Sequence, residues 1–237
     1  MSYVITPASY SAVPVANNNE YNEQFPIHRI YCVGRNYAAH AREMGGSPER
    51  EPPFFFCKPA DAIVPVPAGE SIALAYPSET SNYHHEIELV VAIGKGGKNI
   101  PEKHAHDHIW GYAVGLDMTR RDLQTALREK GQPWELAKAF DQSAPIAPLY
   151  PVSRIGHPKA GSIWLKVNGE MRQAGRVEQM IWPVTEIISH LSRYFTLLPG
   201  DLIFTGTPSG VGPVIVGDTL LGGIDGLGEI AVHSIAA

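Results

Sequence analysis

Two nearly uninterrupted apolar runs, residues 87–93 and 110–116, lie in the middle of this chain of 237 residues. Neither run alternates polar and apolar side chains, and each is therefore typical of a strand that is covered on both faces. Gly94 closes the first run, and Asp117 follows the second. The two runs predict strands of a sheet that has no solvent-facing side.

Shorter elements flank these two strands. Further strands are predicted at 30–33, 162–167, 170–173, 202–205, 219–221 and 229–234, helices at 36–44, 122–130 and 183–198, and a connector with a short helical turn at 101–108. The dipeptide Asn168-Gly169 is a strong signal for a two-residue hairpin turn. No internal repeat and no regular alternation of strand and crossover helix is evident. We therefore predict a β-rich α+β fold with a few helices packed on the sheets.

The composition excludes several classes of protein. A net charge of −5 with scattered Lys and Arg residues gives no basic surface for nucleic acid. The two cysteines, Cys32 and Cys57, have neither disulfide-framework nor zinc-knuckle spacing. The N-terminus lacks signal-peptide features, and no run approaches the roughly 18 apolar residues of a membrane span. We expect a cytoplasmic protein in which residues 1–24 form an extended or weakly ordered lead-in to a single domain over residues 25–237.

Three acidic residues lie at the ends of the apolar strands. If residues 86–93 form one strand, Glu86 and Glu88 point to the same face, because side chains alternate along a strand. Asp117 could add a third oxygen ligand, and such a set suits Mg²⁺ or Mn²⁺. A solvent-facing acidic edge accounts for the glutamates about equally well, and a helix N-cap at Asp117 or Thr119 is the simpler explanation of the aspartate. The spacing leaves these alternatives open.

Four cationic residues could hold a substrate carboxylate. They are Lys58, Arg120, Arg121 and Lys138. Lys138 is flanked by apolar residues, which predicts a partly buried ammonium group that requires an anion. The Gly-rich segment 205–212 could offer backbone N–H and hydroxyl donors to a bound anion.

His40 and Glu43 form a possible catalytic pair on the helix predicted at 36–44. At a spacing of i and i+3 they share a helix face, where a carboxylate would fix the tautomer of the imidazole and raise its basicity. An incidental pair on an exposed helix is the favoured alternative on spacing alone.

The order of these motifs resembles that of the fumarylacetoacetate hydrolase family. The matching stretches are residues 31–37 with His40 and Glu43, 56–59, 85–89, 115–122, 134–141, 167–170, 200–201 and 205–212. The resemblance extends from about Phe25 to the C-terminus. It implies the fold of that family's C-terminal domain, a mixed β-sheet roll with a few short helices, and a homodimer.

The resemblance also implies roles for individual residues. Glu86, Glu88 and Asp117 would be ligands of Mg²⁺ or Mn²⁺. Arg121, Gln124, Lys138 and Thr207 would surround the substrate, and Lys58 is added to the substrate-binding set because of its charge. His40 and Glu43 would lie on a lid segment that orders when substrate binds, and together with Lys138 they are the predicted catalytic residues.

The implied activity is metal-dependent hydrolysis of a carbon–carbon bond. Relatives of this kind hydrolyse acylpyruvates, decarboxylate oxaloacetate, or isomerise and decarboxylate dienedioates. The sequence looks most like the fumarylpyruvate hydrolases of gentisate-type aromatic degradation, which form fumarate and pyruvate. A 2-oxo acid could chelate the metal while His40, oriented by Glu43, activates a water. Oxaloacetate decarboxylase, dienedioate isomerase and a non-catalytic module that binds metal and 2-oxo acids are the alternatives.

Overall fold

The computed structural model describes residues 4–6, 9, 11–16, 23–44 and 51–237. Its strands are β1 (Ala12–Pro14), β2 (Gln24–Pro26), β3 (Ile30–Gly34), β4 (Phe54–Lys58), β5 (Ile63–Pro65), β6 (Ser71–Ala75), β7 (Tyr83–His85), β8 (Ile87–Ile93), β9 (Ile109–Leu116), β10 (Thr119–Arg120), β11 (Ala144–Ile146), β12 (Tyr150–Pro151), β13 (Ser162–Val167), β14 (Glu170–Arg176), β15 (Leu202–Phe204), β16 (Gly212–Val214), β17 (Thr219–Ile224) and β18 (Glu229–Ile235). Its α-helices are α1 (Ala38–Glu43), α2 (Arg121–Glu129), α3 (Glu135–Lys138), α4 (Val152–Ile155) and α5 (Val184–Tyr194), and 3₁₀ helices cover Ala60–Ala62, Glu102–His108 and Val177–Gln179. The predicted β-rich α+β fold is confirmed.

The two apolar runs form the neighbouring strands β8 and β9 inside the larger sheet. The strand order of this sheet is β4-β3-β15-β8-β9-β11-β5, with β12 also paired to β9. It is mixed, because β15 runs parallel to β3 and β11 runs parallel to β5, whereas β8 and β9 are antiparallel. Both strands are therefore interior strands, as their sequences predicted.

Strand β8 is buried along its whole length, and its two faces contribute to different cores. Leu89 and Val91 face the larger core, which is shared with the second sheet. Val90 and Ala92 face a smaller core formed with β3, β11 and β15. A strand with two covered faces has no position for an exposed polar residue, which explains the continuous apolar run.

The second sheet has the order β14-β13-β17-β18-β6, and its first two strands form the predicted hairpin. Asn168 and Gly169 both have positive φ, 52° and 81°, as a type I′ turn requires. Helix α5 packs Ile187, Ile188 and Leu191 into the larger core.

Helix α5 ends at Tyr194, before the predicted end at residue 198. The physical reason lies in the backbone that follows it. Leu197 and Gly97 exchange two backbone hydrogen bonds of 2.8 and 2.9 Å, so the chain leaves the helix to pair with a distant segment. A long-range pairing of this kind overrides local helix propensity.

Part of the predicted lead-in packs against the body of the protein. Strand β1 pairs with β2, and both Val13 and Val15 are buried in the smaller core. Much of the lead-in predicted over 1–24 lies outside the described residues, namely residues 1–3, 7–8, 10 and 17–22. The same holds for residues 45–50 of the predicted lid. Among the helices of the described ranges, none combines the length and the apolar character that crossing a bilayer requires.

Candidate active site

Three buried carboxylates converge where β8 begins and β9 ends. One oxygen atom from each of Glu86, Glu88 and Asp117 lies within 4.8 Å of the other two. Strand β8 begins at Ile87, so Glu86 lies just before the strand. The N–H of Asp117 donates to the Glu86 carbonyl at 2.8 Å, and this hydrogen bond holds Glu86 beside Asp117. All three residues are at most 5% exposed, which excludes a solvent-facing acidic edge. Helix α2 begins at Arg121 with Arg120 as its N-cap, and the N-cap alternative for Asp117 or Thr119 is therefore wrong.

Two of the three carboxylates are neutralised by buried cations. The Lys138 Nζ atom lies 2.9 Å from Glu86 Oε2 and 2.6 Å from Asp117 Oδ2. The Lys58 Nζ atom lies 2.8 Å from Asp117 Oδ1, and Arg121 pairs with Glu86 Oε1. Burial alone would raise the pKa of Glu86. The positive charges around it, led by that of Lys138, outweigh burial and hold this pKa below its ordinary value. Lys138 is buried against anions, as predicted.

The third carboxylate, Glu88, has no cationic partner among the described residues. It accepts a hydrogen bond of 2.7 Å from the N–H of Gly206. Burial, reinforced by the negative charges of Asp117 and Glu86, raises the pKa of Glu88 well above its ordinary value. Three converging carboxylates, one of which has no cationic partner among the described residues, fit a hard divalent cation such as Mg²⁺ or Mn²⁺.

Arg121 is held by three side chains. Its guanidinium group donates to Glu86, to the Gln124 side-chain oxygen and, at 3.3 Å, to His84 Nδ1. His84 can accept this hydrogen bond because it is neutral: burial, followed by the charge of Arg121, lowers its pKa to about 4. The second nitrogen, Nε2, is then the protonated one and donates to Asn82 Oδ1 at 2.9 Å. No pattern in the sequence indicates this contact between His84 and Arg121.

His40 and Glu43 form the predicted pair on α1. His40 is 6% exposed, and its Nδ1 lies 3.2 Å from Glu43 Oε2. Because a carboxylate can only accept, Nδ1 carries a proton in this pair, and in the neutral form of the ring Nε2 is the nitrogen that can accept one. Both oxygens of Glu43 also accept the N–H of Gly210, at 3.1 and 3.2 Å. The His40 side chain therefore lies on a buried face of α1, whereas Glu43 is partly exposed.

The Gly-rich segment 205–212 donates to carboxylates of the protein itself. Gly206 binds Glu88, and Gly210 binds Glu43. Gly210 has φ +95° and passes so close to Arg172 that a Cβ atom would lie 2.0 Å from the Arg172 carbonyl oxygen. The segment thus connects the carboxylate cluster with the histidine pair through its backbone.

Gln173, on β14, is a buried residue that the sequence did not single out. Its side-chain oxygen accepts from the N–H of Ile87 and pairs with His85 Nδ1, while its nitrogen donates to Thr207 Oγ1 and to the Pro208 carbonyl. These four contacts, all between 2.8 and 3.1 Å, use the full hydrogen-bonding capacity of the amide. Gln173 therefore fixes the Gly-rich segment against the strand that carries Glu88.

A Gln173→Met substitution should test this connection. It retains the approximate volume but leaves buried partners unsatisfied, and we expect a loss of about 2–4 kcal/mol in the free energy of unfolding. We also expect KM to rise more than kcat falls for a substrate bound beside the three carboxylates, because Thr207 lines the cavity that contains them and loses its support. Denaturant titration and steady-state kinetics would measure the two effects. The exposed Gln132→Met variant is the control, and equal behaviour of the two variants would contradict the role.

One cavity contains most of the predicted site residues. Its walls include His40, Glu86, Glu88, Asp117, Arg121, Gln124, Lys138 and Thr207, together with Arg35, Arg128, Phe54, Phe56 and Trp134, which were not predicted. Thr207 uses its hydroxyl hydrogen for the Ile87 carbonyl at 2.7 Å. Glu43 does not line the cavity and acts through His40.

Two of the candidate cations do not reach this cavity. Lys58 is 2% exposed, and its ammonium group is engaged by Asp117 and by the carbonyl oxygens of Met118 and Lys138. Arg120 lies over the Phe140 ring, 4.4 Å from its centroid, and donates to the Leu136 carbonyl. The predicted contact of Lys58 with substrate is therefore not supported, because all its donors are directed at the protein.

Three comparisons relate this site to known proteins. Residues 29–233 match the family model described as fumarylacetoacetate (FAA) hydrolase C-terminal. The crystal structure of fumarylpyruvate hydrolase from Pseudomonas aeruginosa, in complex with Mn²⁺ and pyruvate, is 60% identical with a TM-score of 0.97, and the match covers 100% of both chains. The mitochondrial oxaloacetate tautomerase FAHD1 of Mus musculus is 48% identical over 84% of this chain and 87% of its own. The 5-carboxymethyl-2-hydroxymuconate delta-isomerase of Mycobacterium smegmatis is 35% identical with a TM-score of 0.78, over 90% of this chain and 81% of its own.

Proposed function

The chain belongs to the fumarylacetoacetate hydrolase family, and we propose that it is a metal-dependent hydrolase that cleaves fumarylpyruvate into fumarate and pyruvate. The observation that carries this proposal is one cavity in which three buried carboxylates, Lys138 and the imidazole of His40 meet. Such a cavity can bind a cation, an anionic substrate and a water activated by a base.

Glu86, Glu88 and Asp117 would hold Mg²⁺ or Mn²⁺, which as a Lewis acid would stabilise the negative charge that develops on the 2-oxo acid. The lack of a cationic partner for Glu88 among the described residues supports this assignment, because the charges that raise its pKa would be offset by a bound cation. The Mn²⁺ and pyruvate bound by the Pseudomonas aeruginosa relative support both the cation and the 2-oxo acid. Lys58 would hold Asp117 in place without contacting substrate.

The His40–Glu43 pair would supply the base. His40 Nε2 would take a proton from a water that attacks the carbonyl carbon of the fumaryl group, while Glu43 stabilises the imidazolium that forms. The bond between this carbon and the adjacent methylene then breaks. The fumaryl half leaves as fumarate with the water oxygen, and the methylene carbon accepts a proton to become the methyl group of pyruvate.

The remaining cavity residues would position the 2-oxo-acid end. Lys138 and Arg121 provide positive charge for its carboxylate, and the Gln124 side-chain amide retains free donors because its oxygen is the atom bound by Arg121. Thr207 would contribute through the position that Gln173 gives it. Each of these residues is nearly fully buried, so substrate groups that they bind would be shielded from water.

A substrate panel tests the proposal. Purified protein with Mn²⁺ or Mg²⁺ would be supplied with fumarylpyruvate, acetylpyruvate and oxaloacetate, and fumarate, pyruvate and carbon dioxide would be quantified. Stoichiometric release of fumarate and pyruvate supports the hydrolase. Consumption of oxaloacetate alone would replace it, and thermal stabilisation by 2-oxo acids without any turnover would favour a binding module.

A second candidate function is oxaloacetate tautomerase. The 48% identity to the mouse enzyme favours it, and the same cavity offers a base and a cation site for moving a proton between carbon and oxygen. The two functions separate when the enol absorbance of oxaloacetate is followed as well, because tautomerisation changes that absorbance but releases no pyruvate beyond the rate with metal and no protein. A homodimer remains a prediction from the family resemblance, and a cytoplasmic location remains a prediction from the sequence.

Removal of the metal should abolish turnover reversibly. Treatment with EDTA followed by desalting is expected to lower the rate of fumarylpyruvate cleavage by at least about 100-fold, because the charge on the 2-oxo acid then has no Lewis acid. Addition of Mn²⁺ or Mg²⁺ should restore the rate, whereas Ca²⁺, which prefers more ligands and longer bonds, should restore less. Full activity after chelation would contradict the metal-dependent mechanism.

A further inference from the structure

A row of three aromatic rings connects the reaction centre with Arg35. The Lys138 Nζ atom lies 5.2 Å from the centroid of the Phe56 ring. The Trp134 ring is 5.9 Å from Phe56 and 5.3 Å from Phe54, and the Arg35 guanidinium carbon is 5.8 Å from the Phe54 centroid. All five side chains line the cavity that contains the carboxylates. The rings are inclined to one another, by 84° between Phe54 and Trp134 and by 59° between Phe56 and Trp134, and together they give the cavity an aromatic wall that extends from Lys138 to the Arg35 guanidinium group.

Arg35 carries a positive charge that the described residues do not neutralise. The acidic residues of the cavity wall are already accounted for, since Glu86 and Asp117 pair with buried cations and Glu88 belongs to the proposed metal site. Arg128, the other guanidinium of this wall, donates to the Met44 carbonyl at 3.1 Å. Arg35 is thus a cavity cation that has no acidic partner among the described residues and can bind an incoming anion.

The backbone at Arg35 also points to a role for its side chain. Arg35 has φ 57°, a left-handed conformation that favours Gly or Asn and disfavours long side chains. The local fold alone would be served better by glycine. An arginine at this position is explained by what its guanidinium group can bind.

We propose that Arg35 binds the terminal carboxylate of an acyl group that lies along Phe54, Phe56 and Trp134. This subsite selects acylpyruvates whose acyl chain is flat, conjugated and negatively charged at its far end. A guanidinium group binds a carboxylate through two parallel hydrogen bonds, and a planar chain packs well on aromatic faces. The inference rests on the proposed function, because it assigns the acyl end of the same substrate.

A binding experiment tests the subsite without turnover. The probes are 2-oxoheptanedioate and 2-oxoheptanoate, which have equal chain lengths and differ in the terminal carboxylate. Calorimetry on the Mn²⁺-loaded protein should show that the native chain binds the diacid about 10- to 100-fold more tightly. In Arg35→Gly this preference should disappear, and Arg35→Lys should retain part of it. Arg35→Gly suits the left-handed backbone, so a loss of preference would not reflect strain.

Kinetics on two substrates provide the second readout. For Arg35→Gly, kcat/KM for fumarylpyruvate should fall by about 10- to 100-fold, whereas kcat/KM for acetylpyruvate, which has no terminal carboxylate, should change less than about threefold. Arg193→Met, an exposed arginine on α5 outside the cavity, should change neither value.

The outcomes distinguish the subsite from the proposed function. Equal losses on both substrates, or a diacid preference that survives in Arg35→Gly, would overturn the role of Arg35. A preference that disappears in Arg128→Met but not in Arg35→Gly would overturn it as well. Failure of the native protein to cleave any acylpyruvate would defeat the hydrolase proposal, and the binding pair would then still decide whether Arg35 recognises a terminal carboxylate.

Discussion

The His40→Ala variant should cleave fumarylpyruvate with a kcat about 10²- to 10⁴-fold below that of the native protein. His40 is buried against the cavity, and its Nδ1 is committed to Glu43, so that Nε2 is the nitrogen available to accept the proton of an attacking water. Alanine removes this base but leaves the three carboxylates and Lys138 in place. KM and the affinity for Mn²⁺ should therefore remain within about threefold of the native values.

The chain contains a matched control for this substitution. His104 and Asp107 have the same i, i+3 spacing, with Nδ1 of His104 3.4 Å from the carboxylate, but both side chains are more than half exposed. His104→Ala should leave kcat unchanged. Glu43→Gln, which removes the charge that stabilises the imidazolium, should lower kcat by about 10- to 100-fold. If His40→Ala retained more than about a tenth of the native kcat, His40 would not be the base.

Elements with a strong local pattern could be predicted from the sequence. Strands β8 and β9 are apolar on both faces, and the Asn168-Gly169 turn needs two residues with positive φ, so each leaves a signal within a few residues. The end of α5 could not be placed, because Leu197 pairs with Gly97 from a remote part of the chain. The packing of β1 was missed for a similar reason, since Val13 is buried by a partner strand that no short window includes.

In the candidate site, too, features with a local pattern could be predicted and those that depend on distant contacts could not. Strand alternation over 86–93 predicted that Glu86 and Glu88 share a face, but β8 begins only at Ile87. The convergence of Glu86 and Glu88 with Asp117 depends on the hydrogen bond from the Asp117 N–H to the Glu86 carbonyl and on the pairing of β8 with β9. Family resemblance supplied what periodicity could not. Lys58 was assigned to substrate because its charge is visible in the sequence, whereas its burial and its bond to Asp117 are not.

Gln173 and Arg35 show why individual polar residues escape such predictions. The amide of Gln173 acts on the β7–β8 segment and on the Gly-rich segment, which are far from it in sequence, and a single polar residue on a strand has no periodic signature. Arg35 was part of a matching motif, but its left-handed backbone and its position beside Phe54 are properties of the fold.

The metal-free Glu88→Gln variant should be more stable than the metal-free native protein, by at least about 1 kcal/mol in the free energy of unfolding. Burial and the charges of Asp117 and Glu86 raise the pKa of Glu88. At neutral pH the fold must therefore either bury an unneutralised charge or hold a proton that the unfolded chain releases, and both disfavour folding. Glutamine avoids both, while its oxygen can still accept the N–H of Gly206.

The same substitution should have the opposite effect once metal is added. Mn²⁺ at about 100 times its Kd should stabilise the native protein by about 2.7 kcal/mol and raise its Tm by roughly 5–10 °C. Glu88→Gln should lose most of this shift, because its affinity for the cation is expected to fall about 100-fold or more, and activity at that Mn²⁺ concentration should fall with it. Thermal unfolding with and without Mn²⁺ measures both effects, the higher stability of metal-free Glu88→Gln and its smaller stabilisation by Mn²⁺. The exposed Glu229→Gln variant is the control. A native-sized Mn²⁺ shift in Glu88→Gln would remove Glu88 from the ligand set, and a lower metal-free Tm would mean that the Gly206 hydrogen bond outweighs the repulsion among the three carboxylates.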